Sequence, residues 1–183
     1  MSSSALEDPA IRERATYIAL ADYERMLAAG IIPEATELID GTVVDKVTKS
    51  PDHNYFADAL YEALRRILPP GTIIRSEKTL THGNSGVEPD IMVVEGPLSR
   101  YRSANPATAL LVVEVAKTSL NFDRAKARIY ALAGVPIYWI VDLDNERVEV
   151  HENPKGDRYS EKRTVPFGQP LGMFGKSVDF NAL

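Results

Sequence analysis

Two acidic residues of this sequence lie within apolar segments, where a carboxylate is costly to bury. Asp90 follows Pro89 and precedes four apolar residues, and Glu114 lies inside the apolar segment 109–116. Burial in such surroundings disfavours the ionised form of an isolated carboxyl group. A bound cation offsets that cost, and Mg²⁺ takes one or two carboxylates together with water and substrate phosphate oxygens. The pair therefore indicates a metal site that polarises a phosphodiester for attack by water.

A lysine is the residue expected beside such a pair, because an ammonium group offsets charge that develops on phosphoryl oxygens. Lys117 is near Glu114 along the chain, but side chains alternate along a strand, so Lys117 should point to the opposite face. Lys126 lies in the following helical segment, on the side marked by Phe122 and Ile129. Helical periodicity directs that side towards the sheet, which favours Lys126 over Lys117.

Each of these residues also has a purely structural interpretation. Pro-Asp pairs are common in turns, so Asp90 is compatible with an ordinary strand start. A buried ion pair between Glu114 and Lys126 would hold a helix to a sheet without any catalytic role. Lys117 is compatible with a solvated charge at a strand end. The catalytic interpretation requires the head groups of Asp90, Glu114 and Lys126 to converge in one open cleft.

Helical and extended patterns alternate along the chain that carries these residues. The order predicts an α/β fold of the α+β type. It consists of a mixed, largely antiparallel β-sheet flanked by helices, with one strand added after a crossover helix and a C-terminal β-hairpin region. Helices are predicted over 17–29, 50–68 and from 119 or 121 to 133. Strands are predicted over 37–47, as a hairpin turning at Asp40-Gly41, and over 72–80, 87–94, 109–116, 137–143, 147–152, 158–165 and 178–180.

Composition indicates an ordinary globular protein. The chain has 183 residues, 44% of them hydrophobic and 26% charged, and no cysteine, which fits a reducing cytoplasm. No secretory signal is visible and no apolar run approaches the ~20 residues of a membrane span. The net charge of −5 argues against a surface that binds nucleic acid at every point. Residues 1–16 are expected to form a flexible leader and residues 17–183 a single nuclease-like domain.

Several segments of the chain form a combined set that is specific, although each segment alone is weak. They are Glu37 to Gly41 (ELIDG), His53, 89–94 (PDIMVV), 113–116 (VEVA), Asp123 and Arg124 with Lys126 and Tyr130, and 134–142 (GVPIYWIVD). Together, over approximately residues 20–152, they resemble the Uma-two family, bacterial proteins of the PD-(D/E)XK nuclease superfamily.

The resemblance implies a restriction-endonuclease-like fold with Mg²⁺, or Mn²⁺ as a substitute, at the edge of the sheet. Asp90 matches the aspartate of the PD motif, and Glu114 matches the acidic residue of the (D/E)XK motif. Ala116 stands where the superfamily has its motif lysine, and Lys126 matches a lysine that this family carries on the next helix. Lys117 stands where relatives have a small polar or acidic residue, and it stays the alternative lysine.

Two further positions match the family. Glu37 is a candidate metal ligand or water-positioning carboxylate, and a charge at the rim of the site explains it equally well. His53 is a candidate phosphate contact or auxiliary base, with a local hydrogen bond at a helix start as the structural alternative. His82 and His151 have no partner at metal-ligand spacing. No organic cofactor is expected.

The function implied by the resemblance is that of an endonuclease, which hydrolyses DNA phosphodiester bonds through a metal-activated water. A non-catalytic relative that binds nucleic acid or a protein is the alternative, because a fold does not dictate activity. A purely structural protein held by a Glu114–Lys126 pair is a third reading. A homodimer is expected, since cutting two strands requires two sites and two-fold dimers are common. The strands within 147–165 are candidate interface edges.

Overall fold

The computed structural model describes residues 9–183. Residues 1–8 of the expected leader lie outside the described residues, and the rest of it contains the short helix α1 (Pro9–Arg12). The longer helices are α2 (Leu20–Ala28), α3 (Pro51–Arg65) and α4 (Leu120–Leu132). Single 3₁₀ turns cover Leu98–Tyr101 and Phe180–Ala182. Between residues 9 and 183, no helix has the length and apolar character needed to cross a membrane.

Within residues 9–183, the strands form one large sheet and two smaller ones. They are β1 (Thr36–Ile39), β2 (Thr42–Asp45), β3 (Thr72–Ser76), β4 (Leu80–His82), β5 (Ser85–Val87), β6 (Ile91–Glu95), β7 (Leu111–Ala116), β8 (Ile137–Asp142), β9 (Arg147–Lys155), β10 (Arg158–Pro166), β11 (Leu171–Met173) and β12 (Lys176–Val178). The six-stranded sheet has the order β10-β9-β8-β7-β6-β3, the four-stranded sheet has the order β2-β1-β5-β4, and β11 pairs with β12.

The topology of the large sheet confirms the predicted fold class. Strands β7 and β8 run parallel and are joined by the crossover helix α4, whereas the pairs β3–β6, β6–β7, β8–β9 and β9–β10 are antiparallel. A parallel pair requires such a crossover, because a short turn cannot return the chain to the same end of the sheet. The long hairpin of β9 and β10 forms the predicted C-terminal extension, with β10 at the outer edge.

Two of the predicted strands are each divided in the structure. The prediction of one continuous strand over 72–80 and another over 87–94 is wrong. Within each of these segments the chain passes between the six-stranded and the four-stranded sheet. The backbone turns at Glu77, which has φ of 51°. The second break falls at Pro89, which lacks the N–H that a strand interior needs. The two breaks adjoin, since the Glu77 amide donates to the Asp90 carbonyl at 3.2 Å. Asp90 therefore lies at the junction of the two sheets.

Strand β7 separates two layers of the core, as alternation predicts. Val113 and Val115 face one apolar cluster together with Leu60 and Leu64 of α3. Val112 and Ala116 face the other cluster, which α4 covers with the buried side chains of Ile129 and Tyr130. Glu114 shares the parity of Val112 and Ala116, so its carboxylate points towards α4. Tyr130, Tyr138 and Trp139 are core residues.

Candidate active site

Asp90, Glu114 and Lys126 lie together on the floor of an open cleft of about 530 Å³. Each of the three is 4% exposed, so the head groups are largely removed from bulk water. Asp90 directly precedes β6, Glu114 lies in the middle of β7, and Lys126 lies in the second turn of α4. The register of the two strands pairs Ile91 with Val113, which places Asp90 next to Glu114.

Glu114 is held by contacts to both of its carboxylate oxygens. Its Oε1 accepts hydrogen bonds from the Lys126 ammonium and the Tyr130 hydroxyl, each at 2.7 Å. Its Oε2 accepts from the backbone amide of Asp90 at 3.3 Å. The break at Pro89 contributes to this contact, because the amide of Asp90 is not engaged in a strand pair.

Asp90 is fixed by backbone and side-chain donors. Its Oδ2 accepts from the Val115 amide at 2.7 Å and lies 3.0 Å from His53 Nε2. Its Oδ1 forms an ion pair with the Lys49 ammonium at 2.7 Å. The start of α3 positions His53, because Ser50 Oγ caps the helix by accepting from the His53 amide at 3.2 Å. The His53 backbone thus makes the local bond, and its imidazole contacts Asp90.

Lys126 lies between two carboxylates. Its Nζ is 2.7 Å from Glu114 and 3.2 Å from Oε2 of Glu37, and it lies 5.3 Å from the centre of the Phe122 ring. The other oxygen of Glu37 accepts from the Glu88 amide at 2.6 Å. Glu37 is buried rather than at the rim. It therefore joins the site through Lys126.

Lys117 does not reach the carboxylate pair. Its ammonium forms an ion pair with Asp52 at 2.5 Å, and its side chain is 37% exposed at the rim of the cleft. The strand ends at Ala116, so Lys117 lies just beyond its last residue.

Three residues of the site were not among the sequence-based candidates. Asp123 is buried and accepts a hydrogen bond from Ser119 Oγ at 2.5 Å. It lies three positions before Lys126 on α4, and this spacing, which puts both side chains on one helix face, is the sequence signal that could have identified it. Tyr130 follows Lys126 at i+4 on the same helix face. Lys49 carried no periodic signal, because it lies in the connection between β2 and α3.

The protonation of the site follows from burial and from an excess of carboxylates. Burial raises the pKa of Glu114 to about 8 despite the charge of Lys126, and the carboxylates of Asp123 and Asp90 add to the rise. Burial likewise raises the pKa of Asp123 to about 6. For Asp90, burial is outweighed by His53 and Lys49, and its pKa is lowered. Burial would lower the pKa of Lys126, but the surrounding carboxylates raise it above its usual value.

These shifts predict that the metal-free protein loses stability as pH rises. Burial raises the pKa of Glu114 from 4.5 in the unfolded chain to about 8 in the folded protein. Its contribution to the free energy of unfolding is therefore complete below pH 4.5 and is lost as the pH rises through 8. Asp123, with its pKa raised to about 6, acts in the same direction at lower pH. Glu114→Gln mimics the protonated acid and should flatten the decline. Urea unfolding of the wild type and of Glu114→Gln, in EDTA between pH 4.5 and pH 8, measures the free energy of unfolding. An equal dependence of that free energy on pH in the two proteins would contradict the assignment of Glu114 as the titrating group.

The Tyr130 hydroxyl should contribute to stability through its bond to Glu114. Tyr130→Phe removes that donor but leaves the Glu114 oxygen bonded to Lys126. We expect a loss of about 1–2 kcal/mol in the free energy of unfolding. Tyr55→Phe is the control, because Tyr55 is 68% exposed and should change nothing. Thermal or urea unfolding measures the stability of both variants. Equal stability of Tyr130→Phe and Tyr55→Phe would mean that the Tyr130 hydroxyl does not stabilise the protein.

Comparison with solved structures identifies the fold. The chain is similar to a crystal structure of a protein described as a putative nuclease belonging to DUF820 from Anabaena variabilis, with a TM-score of 0.70 and 18% sequence identity. The match covers 90% of this chain and 96% of that one. A search of curated proteins finds no match.

A family model matches residues 20–173, which include Glu37, His53, Asp90, Glu114 and Lys126. The matched segment contains strands β1–β11 with α2, α3 and α4, and it includes every residue that lines the cleft. The chain belongs to the Uma2 family, which carries the description "Putative restriction endonuclease".

Proposed function

We propose that this chain is a Mg²⁺-dependent endonuclease that hydrolyses phosphodiester bonds of DNA. The observation that carries the proposal is the convergence of the Asp90 and Glu114 carboxylates with the Lys126 ammonium on the floor of an open cleft. The family description and the fold of the similar structure support a nuclease. A structural ion pair alone would not require Asp90 beside it or a cleft above it.

The residues present fit a hard divalent ion. Among residues 9–183, no group of three His, Cys, Asp or Glu side chains is arranged to hold a metal. Mg²⁺ needs fewer protein ligands, because water and substrate phosphate fill its remaining positions. Asp90 and Glu114 supply carboxylate oxygens, and Asp90 already holds one cation, the Lys49 ammonium. We assign these two carboxylates as ligands of Mg²⁺, or of Mn²⁺ in its place.

The other residues of the site have distinct roles in this proposal. When bound, Mg²⁺ would act as a Lewis acid on the scissile phosphate and make water a stronger nucleophile. Lys126, whose pKa is raised, donates hydrogen bonds to phosphoryl oxygens rather than serving as a base. Glu37 positions Lys126 through their 3.2 Å ion pair. His53 positions Asp90 through the contact to Oδ2.

Cleavage assays test the proposal on supercoiled plasmid and on single-stranded DNA, with Mg²⁺, with Mn²⁺ and with EDTA. We expect cleavage of DNA with either ion and none with EDTA. Binding of DNA without cleavage in Mg²⁺ would contradict the proposal and support the non-catalytic alternative.

We further propose that residues 17–183 fold as one domain, that the protein acts in the cytoplasm and that it forms a homodimer. Strand β10 has a free outer edge in the described part of the large sheet, which could pair with a second copy. Light scattering after size-exclusion chromatography measures the mass, and a monomer at all concentrations would contradict the dimer.

A further inference from the structure

Lys49 is a cation of the cleft that the proposed reaction does not use. It lies one residue before Ser50, the N-cap of α3. Its ammonium is 2.7 Å from Asp90 Oδ1 and 2.7 Å from Glu77 Oε1. Its side chain is 33% exposed, in contrast to the buried Lys126. Lys49 therefore connects the floor of the cleft to its rim.

The contacts of Asp90 show which of its oxygens is open to a second cation. Oδ2 is engaged by the Val115 amide and by His53 Nε2. Oδ1 has only the Lys49 ammonium among the contacts of the described residues. A divalent ion at Asp90 would meet this ammonium at short range, where two positive charges repel strongly in a partly desolvated site. Lys49 must therefore leave Oδ1 when an ion binds there.

Glu77 offers the displaced ammonium a second partner. The Glu77 side chain is 59% exposed, whereas that of Asp90 is 6% exposed, so Glu77 lies on the outer side of the ammonium. The lysine stem is flexible and its ammonium is a compact charge. Lys49 can thus give up Asp90 and keep the ion pair with Glu77.

We propose that Lys49 is an internal counter-cation that competes with the divalent ion for Asp90 and so sets the metal concentration at which the site is filled. The inference rests on the proposed function, because it takes Asp90 as a metal ligand. It assigns Lys49 as a residue that controls metal affinity, distinct from Lys126, which stays between Glu114 and Glu37.

Lys46 provides a matched control. It also lines the cleft, has a side chain that is 29% exposed and pairs with Glu88 at 2.7 Å. It carries the same charge as Lys49, but its ion-pair partner is Glu88 rather than Asp90. A change in metal affinity that is found with Lys49→Gln and not with Lys46→Gln therefore reports the contact with Asp90. It does not report the loss of one positive charge from the cleft.

Calorimetric titration of the full chain with Mn²⁺, in the absence of DNA and at one fixed pH, tests the inference. We expect Lys49→Gln to bind Mn²⁺ at least about fivefold more tightly than the wild type, a coupling typical of two ligands that oppose each other. Lys46→Gln should bind as the wild type does. Lys49→Arg, which keeps the charge, should show no tightening. The rise in Tm caused by Mn²⁺ should be largest for Lys49→Gln, because tighter binding adds stability.

The outcomes separate this inference from the proposed function. Equal affinities for wild type and Lys49→Gln, with binding weakened at least about tenfold by Asp90→Asn, would overturn the role of Lys49 and leave the metal site intact. An equal gain in Mn²⁺ affinity in Lys46→Gln and Lys49→Gln would also overturn the role of Lys49, since the loss of one positive charge would then explain the gain. No Mn²⁺ binding by any of these proteins would overturn both proposals.

Discussion

Lys126→Met should lower the rate of Mg²⁺-dependent DNA cleavage at least about 100-fold, the usual effect of removing one charge-stabilising donor. The substitution removes the ammonium that contacts Glu114 and Glu37 and keeps most of the volume of the side chain. It also leaves two buried carboxylates without their cation, which commonly costs about 3–5 kcal/mol of stability. Activity is therefore compared at a temperature where both proteins are folded, as checked by circular dichroism.

Lys117→Met is the control for Lys126→Met. Lys117 pairs with Asp52 at the rim, and exposed ion pairs contribute little to stability. We expect cleavage within about threefold of the wild-type rate, because surface changes of this kind are close to neutral. If Lys117→Met abolished cleavage while Lys126→Met did not, the active lysine would be the one nearer Glu114 in sequence.

Asp90→Asn should remove cleavage to a similar extent, at least about 100-fold. The amide keeps the shape of the side chain but removes the charge that a divalent ion requires. Calorimetry should show Mn²⁺ affinity reduced at least about tenfold, the lower range for weakening a metal site. Folding should persist, because the amide oxygen can still accept from the Val115 amide.

Asp52→Asn is the matched control for Asp90→Asn. Asp52 has a side chain that is 70% exposed and contacts Lys117 rather than the carboxylate pair. Its replacement should leave both Mn²⁺ affinity and cleavage near wild-type values. Loss of metal binding in Asp52→Asn, with binding retained in Asp90→Asn, would move the metal site to the rim of the cleft.

Local periodicity was sufficient for the part of the site that lies within one β-α unit. Alternation along β7 predicted the face of Glu114, and helical spacing in α4 selected Lys126 over Lys117. Both were accessible because Glu114 and Lys126 are only twelve positions apart and the sheet-facing side of α4 is marked by apolar residues. The mixed sheet with one crossover helix followed from the same patterns.

The contacts of Asp90 required information that no short segment contains. Lys49 reaches Asp90 from a connection without a regular period, and its place depends on how α3 packs against the sheet. The division of the strand expected over 87–94 had a visible sign in Pro89, whose missing N–H interrupts a strand. That break places the Asp90 amide beside Glu114. The interruption of the strand at Pro89, which the apolar pattern of 87–94 alone does not show, therefore brings the Asp90 and Glu114 carboxylates together.

We propose Asp90 and Glu114 as the metal-dependent site of a DNA endonuclease, and one comparison of two proteins tests this assignment most directly. Wild type and Glu114→Gln, purified in parallel, should be compared on supercoiled plasmid with Mg²⁺ and with EDTA. We expect nicked or linear plasmid from the wild type with Mg²⁺ and none with EDTA, and a rate at least about 100-fold lower for Glu114→Gln. Cleavage by Glu114→Gln at the wild-type rate, or wild-type cleavage that persists in EDTA, would contradict it.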